Sequence, residues 1–167
     1  FWYLSKFIGI GLVGGTVSLV SQNYGGDEPG RVALVVKQSI WLAVALTIPV
    51  IACYVLFASS LVGLLSSDPA STRAGAAYLA LVAPALLFEF LNLVSSRTYA
   101  GVGDTVTPMI IRAGSAAVNV VVSGLLVFSA GLGVTGVAIG TLVSTALALV
   151  VFSWGMAGRS YGLPGMA

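Results

Sequence analysis

Residues 32–65 read VALVVKQSIWLAVALTIPVIACYVLFASSLVGLL, 34 positions that carry one charge, Lys37. A helix at the surface of a soluble protein keeps a polar face, and this run is apolar all round. About 20 apolar residues cross a hydrocarbon core of about 30 Å, so the stretch is long enough to span a bilayer with length to spare. The rest of the chain agrees with it. Hydrophobic residues make up 58% and charged residues 7%, against roughly 25% charged in a soluble domain. Such a composition cannot clothe a globule in polar groups, and in lipid only helices or closed barrels satisfy their own backbone. The length of the apolar runs selects helices. The expected fold is an all-α membrane protein, a polytopic bundle.

Working outward, turn residues cut the chain into about five spans: 1–21, 32–65, 72–99, 107–130 and 134–156. Gly25, Gly26, Asp27, Glu28 and Pro29 punctuate the first break; Ser66, Ser67, Asp68 and Pro69 the second. Gly101, Gly103 and Asp104 precede a restart with Pro108 in the first turn, a tolerated position. Pro49 lies inside the second span, where it permits a kink, and Pro84 lies inside the third. The bundle thus covers 1–157, and 158–167 reads as a linker or tail. Because the chain opens at Phe1 within an apolar run, a preceding helix is expected. Arg31, Lys37, Arg97, Arg112 and Arg159 fall on one side of the spans and only Lys6 and Arg73 on the other. The positive-inside rule then puts the loops at 25–31 and 101–105, and the carboxyl end, in the cytoplasm.

Several functions are disfavoured by what the chain lacks. A net charge of +2 with seven dispersed Lys and Arg offers no patch for a nucleic-acid backbone. There is no histidine and one cysteine, Cys53, so the usual general base, a metal-ligand set and an intrachain disulfide are all missing. No catalytic residue, metal or cofactor is expected. The glycines around Gly101 lack the following lysine of a phosphate loop; Asp104 or Thr105 caps the next helix instead, with Arg97 in reach of Asp104.

The informative residues are polar ones inside apolar spans. Gly11 and Gly15 with Ser18 and Gln22, and Gly136 and Gly140 with Ser144, have the spacing of small-residue packing seams. Glu89 is the acid deepest in a span, and Asn92 and Ser96 share its helix face. An ionisable group there costs roughly 2.5–3.5 kcal/mol on insertion scales. It therefore serves either coupling or substrate binding, or an interhelical hydrogen bond. Arg112, Ser115, Asn119 and Ser123 form a second stripe that cannot face lipid. Arg112 is expected to snorkel to the cytoplasmic surface, whereas Asn119 either lines a cavity or bonds a neighbouring helix.

The order of these features resembles multidrug and toxic compound extrusion (MATE) transporters. Ser21-Gln22-Asn23-Tyr24-Gly25-Gly26-Asp27 resembles that family's Gln-x-x-Gly-Ala/Gly segment. Arg97, Gly101-Val102-Gly103-Asp104-Thr105, Pro108, Asn119 and the run Gly131 to Gly140 resemble its fourth to sixth helices. The resemblance implies half of a twelve-helix transporter built from two six-helix bundles, a parallel repeat, with this half lacking its first helix. It implies a cell-membrane antiporter that exports cationic or amphipathic compounds in exchange for H⁺ or Na⁺. The other half of the same chain and the bilayer would be its partners. The tail at Gly158 resembles a central linker, which favours the amino-terminal half. Some members carry Asn-x-x-x-Asp on the fifth helix; here Asn119 matches and Ser123 stands where the acid would be. On this reading the pathway residues are Glu89, Asn92, Asn119, Ser123 and Gln22, and the motif residues are Gly101, Gly103, Asp104, Thr105 and Pro108. A flippase for lipid-linked oligosaccharides, from the same superfamily, is the alternative, and would be expected to show a more cationic cavity.

Overall fold

The computed structural model describes residues 2–158, so the expected tail beyond Gly158 lies outside the described residues. Those residues form helices joined by short turns. In chain order they are α1 (Trp2–Gly25), α2 (Pro29–Leu56), α3 (Ala58–Gly63), α4 (Pro69–Val82), α5 (Ala85–Gly101), α6 (Val106–Gly124) and α7 (Gly133–Gly158). A π-helical turn, Leu125–Ser129, prolongs α6. Among the described residues, three helices are long and apolar enough to cross a membrane alone: α2, α6 with its π turn, and α7. The pair α4–α5 makes a fourth, bent, span, and α1, with 24 residues, has the length for a fifth.

Local chemistry explains most of the boundaries. Pro29 and Pro69 occupy first-turn positions where a missing N–H is harmless. Asp68 caps α4 by accepting the Ser71 backbone N–H at 2.8 Å. Hydrogen bonds from Ser71 hold its carboxyl below the ordinary carboxylate range. Asp104 caps α6, accepting the Thr107 N–H at 2.9 Å and the Thr107 hydroxyl at 2.7 Å; Thr105 makes no side-chain cap.

Three boundaries differ from the sequence expectation. Helix α1 runs on to Gly25, so Gln22 is helical rather than in a loop. The run 32–65 is not one helix: the chain leaves helical geometry at Phe57, with φ −112° and ψ 18°, and α3 then folds against α4 and α2. A straight helix of that length would reach about 51 Å at 1.5 Å per residue, far beyond the hydrocarbon core. Pro49, which permits a kink, lies inside α2 without ending it. The third run is broken at Ala83 and Pro84, and its two parts meet at 46°. Pro84 has no N–H to donate and its ring crowds the preceding turn.

Helix α5 lies at the centre and touches α1, α2 and α7. Val20, Val32 and Val36 bury the α1–α2 contact; Ala43, Phe90 and Val94 bury that between α2 and α5. Tyr54, Ala58, Ala76, Leu79, Ala83 and Leu86 knit the opposite end. Val102 joins the first of these clusters, so the turns after α1 and after α5 share one end of the bundle. Outside this core, Trp41, Phe128 and Trp154 are 74%, 87% and 78% exposed, as suits a surface bathed in lipid.

Among the described residues, only one of the two glycine seams brings helices together. A Cβ on Gly136 would sit 3.0 Å from the Leu126 carbonyl carbon, and one on Gly140 would sit 3.0 Å from the Ser123 nitrogen. Both glycines therefore let α7 approach the end of α6 backbone to backbone. A Cβ on Gly11 or Gly15 would meet nothing within 4 Å, so the expected α1 seam is open.

Candidate functional site

Three stripes that are polar in sequence converge on one cleft of about 480 Å³ between α5, α6 and α7. Helix α5 contributes Glu89 and Asn92, which lie on one face because they are three residues apart. Helix α6 contributes Arg112, Ser115 and Asn119, and α7 contributes Thr141, Ser144 and Thr145, with Ala148 and Phe152 below them. Ser96 is not part of the lining.

The helices are laced together through this lining. Asn92 donates from Nδ2 to the Thr145 carbonyl at 2.9 Å, which fixes the amide so that Oδ1 is its free end. Asn119 donates to the Thr141 and Ser144 hydroxyls at 3.3 and 3.2 Å. The Ser115 hydroxyl donates to the Ser144 carbonyl at 2.9 Å. Asn119 thus fills both roles that its position left open, lining a cavity and bonding a neighbouring helix. Near the carboxyl end of α5, Tyr99 stacks obliquely on Phe152 at 5.8 Å and its hydroxyl points to the Phe152 carbonyl at 3.5 Å.

Arg112 corrects an expectation. Instead of snorkelling to the surface it turns inward, and Nη1 lies 3.4 Å from Oε1 of Glu89. The Glu89 side chain is 12% exposed. A carboxylate at that depth is costly without a positive neighbour, and guanidinium is the cation most readily stripped of water. Among the described residues that line the cleft, these are the two charged side chains. Two polar atoms in the cleft have no hydrogen-bond partner among the described residues: Oδ1 of Asn92 and Nη2 of Arg112.

The structure gathers Glu89, Asn92 and Asn119, but not all of the expected pathway. The Ser123 hydroxyl is buried with no hydrogen-bond partner among the described residues and lies against Gly140, outside the cleft lining. Gln22 is exposed at the far end of α1, where its amide bonds the Ser18 hydroxyl at 3.1 Å. The motif residues are architectural. Gly101 admits Val20, whose Cγ1 would lie 2.5 Å from an added Cβ; Gly103 takes φ +88°; and Pro108 is buried in the first turn of α6. The sequence reading missed Thr141 and Thr145, although with Ser144 they recur at helical spacing. A neighbouring groove of about 350 Å³, lined by Thr107, Ile110, Ile111, Val151, Trp154 and Gly155, has no charged residue in its lining and lies along the same helix pair.

A polar cleft inside an apolar helical bundle agrees with the comparisons with known proteins. The MatE family model matches residues 1–125. The chain belongs to the MatE family. It is 29% identical over 131 residues to mouse multidrug and toxin extrusion protein 2, an alignment covering 77% of this chain and 22% of that protein. It is 26% identical over 157 residues to rabbit multidrug and toxin extrusion protein 1, covering 92% of this chain and 27% of that one. The chain therefore spans about a quarter of the length of these relatives. Among solved structures, an inward-facing multidrug resistance MATE family transporter of the MOP superfamily superposes with TM-score 0.86 at 20% identity, covering 95% of this chain and 37% of that one. A MOP superfamily transporter from Pyrococcus furiosus, described as having a binding pocket of reversed polarity that suggests a different function, superposes with TM-score 0.81 at 20% identity over 90% of this chain and 34% of that one. This MatE chain is a multi-pass membrane protein, and none of these relatives is named as an enzyme.

Proposed function

We propose that this MatE chain forms one bundle of a secondary antiporter that exports cationic or amphipathic compounds in exchange for H⁺ or Na⁺, with Glu89 as the acid of the pathway. The observation that carries the reading is the placement of Glu89, a carboxylate in the membrane-spanning part of α5 that opens on a polar cleft rather than on lipid. Antiport needs a group that holds one cation or another but not both. A buried carboxylate does this: it accepts a proton or Na⁺ in one step and a substrate cation in the other. Asn92, Asn119 and Thr141 supply neutral oxygens in the same cleft.

The other six-helix half of the same polypeptide would complete the cavity, and the end bearing Arg31, Lys37, Arg97 and Arg112 would face the cytoplasm. The fold is shared by proteins of different pocket polarity, so the cleft's own charges weigh most between drug export and lipid-linked oligosaccharide flipping. One acid balanced by one base does not make the cationic cavity that the flippase reading calls for. In the complete transporter, Glu89→Gln keeps the shape of the side chain and removes its charge. The variant should reach the membrane at normal levels and lose H⁺- or Na⁺-driven dye export. Unchanged export with unchanged ion dependence would overturn the reading.

A further inference from the structure

We propose that Arg112 is the anion-recognising group of the cleft, so that the site takes zwitterionic compounds, with a cationic group toward Glu89 and a carboxylate on Arg112, in preference to the matching plain cations. The inference rests on the reading of the cleft as a substrate pathway with Glu89 as its acid, and it narrows the class of compound that the pathway carries.

An anion in the cleft needs hydrogen-bond donors, and most of those in the lining are already spent. The Ser115 hydroxyl donates to the Ser144 carbonyl at 2.9 Å, and that of Thr141 to the Val137 carbonyl at 3.0 Å. The hydroxyls of Ser144 and Thr145 donate to the Thr141 carbonyl at 3.1 and 2.8 Å. Asn119 uses its amide on the Thr141 and Ser144 hydroxyls. The guanidinium of Arg112 differs from all of these. It carries five N–H donors; its contact with Glu89 engages Nη1 at 3.4 Å, and Nη2 is buried with no hydrogen-bond partner among the described residues. A buried charged donor without an acceptor is destabilising, and a carboxylate is the acceptor that matches the planar fork.

A ligand carboxylate can be accepted without breaking the pair with Glu89. The Arg112 side chain is 39% exposed and lines the cleft, so its unspent donors have room to turn toward a ligand while Nη1 stays beside the acid. One guanidinium then bridges two carboxylates, that of Glu89 and that of the ligand. Charge points the same way. Among the described residues that line the cleft, the charged side chains are this one acid and this one base. A plain cation is attracted by Glu89 and repelled by the arginine next to it, whereas a zwitterion meets an opposite charge at each end. Arg112 thereby discriminates, because a cation with no anionic group leaves its donors unpaired.

The test uses two dyes that differ in the charge Arg112 would read: rhodamine B, a delocalised cation with a free carboxylate, and its ethyl ester, the same cation without the anion. Binding to the complete transporter, purified in detergent at neutral pH, is followed by fluorescence anisotropy. The unaltered protein should bind rhodamine B roughly five- to tenfold more tightly than the ester. Arg112→Gln should remove this preference by weakening rhodamine B while the ester binds equally or more tightly, and Arg112→Lys, which keeps the charge but not the fork, should retain part of it. Rhodamine B that binds the unaltered protein no more tightly than the ester overturns the inference, whether or not the variants fold, and so does a preference that survives Arg112→Gln. In either case the pathway reading stands if Glu89→Gln still abolishes binding of the ester. Binding of both dyes that survives Glu89→Gln removes both readings.

Discussion

A glycine at which a methyl group would collide with backbone is under a different constraint from one that faces open space, and this chain contains both at the same spacing. Gly140→Ala would drive its Cβ into the backbone of Ser123 and should cost about 1–3 kcal/mol as overpacking. Gly11→Ala meets nothing and should stay within about 0.5 kcal/mol. Thermal unfolding of the two purified variants in the same detergent compares them; equal midpoints would contradict the assigned seam. The sequence shows the two seams as equals, because spacing reports which residues share a face and not what stands opposite. The same limit governed the charges. Glu89 and Asn92 were legible as an inward face, since an acid cannot look at lipid. Arg112 was assigned to the surface because its distance from the helix end allowed it to reach water. That Glu89 would be within reach on another helix is a tertiary fact, as is the pressing of Ser123 against Gly140 rather than into the cleft.

Among elements, breaks that carry proline, glycine or an acidic cap were readable: Pro29, Asp68 with Pro69, and Gly103 with Asp104 stand where helices begin. The break at Phe57 was not, because no glycine or proline marks it and the residues on both sides are apolar. Nor was the choice between two prolines. Pro49 leaves α2 unbroken while Pro84 stands where α4 and α5 meet at 46°, and the residue type alone does not tell the two apart. The helix-joining turns carry a prediction of their own. The turn at Gly26 lies at the end of the bundle shared by the turn after α5, and Ser71 at the start of α4 lies at the opposite end. Single cysteines at Gly26 and at Ser71, in a Cys53→Ala background, should be alkylated by a membrane-impermeant reagent from opposite faces of the membrane, the former from the cytoplasm. Labelling of both from one face would contradict the arrangement of spans.

For the whole molecule, lipid as the solvent follows from composition alone, and the helical bundle follows from lipid together with the length of the apolar runs. What composition could not supply is that three separate polar stripes, on α5, α6 and α7, meet in one cleft of about 480 Å³; no single stripe says which helix its partners occupy. That convergence is the basis for placing an aqueous cation pathway inside an otherwise apolar bundle. It is tested most directly by one cysteine at Asn119→Cys in the Cys53→Ala form of the complete transporter, with Val121→Cys, on the exposed apolar face of α6, as the control. A hydrophilic cationic thiol reagent should modify the cysteine at 119 and not the one at 121, and ethidium should slow the reaction at 119. A cysteine at 119 that does not react, or that reacts at the same rate with and without ethidium, would contradict a cation pathway between these helices.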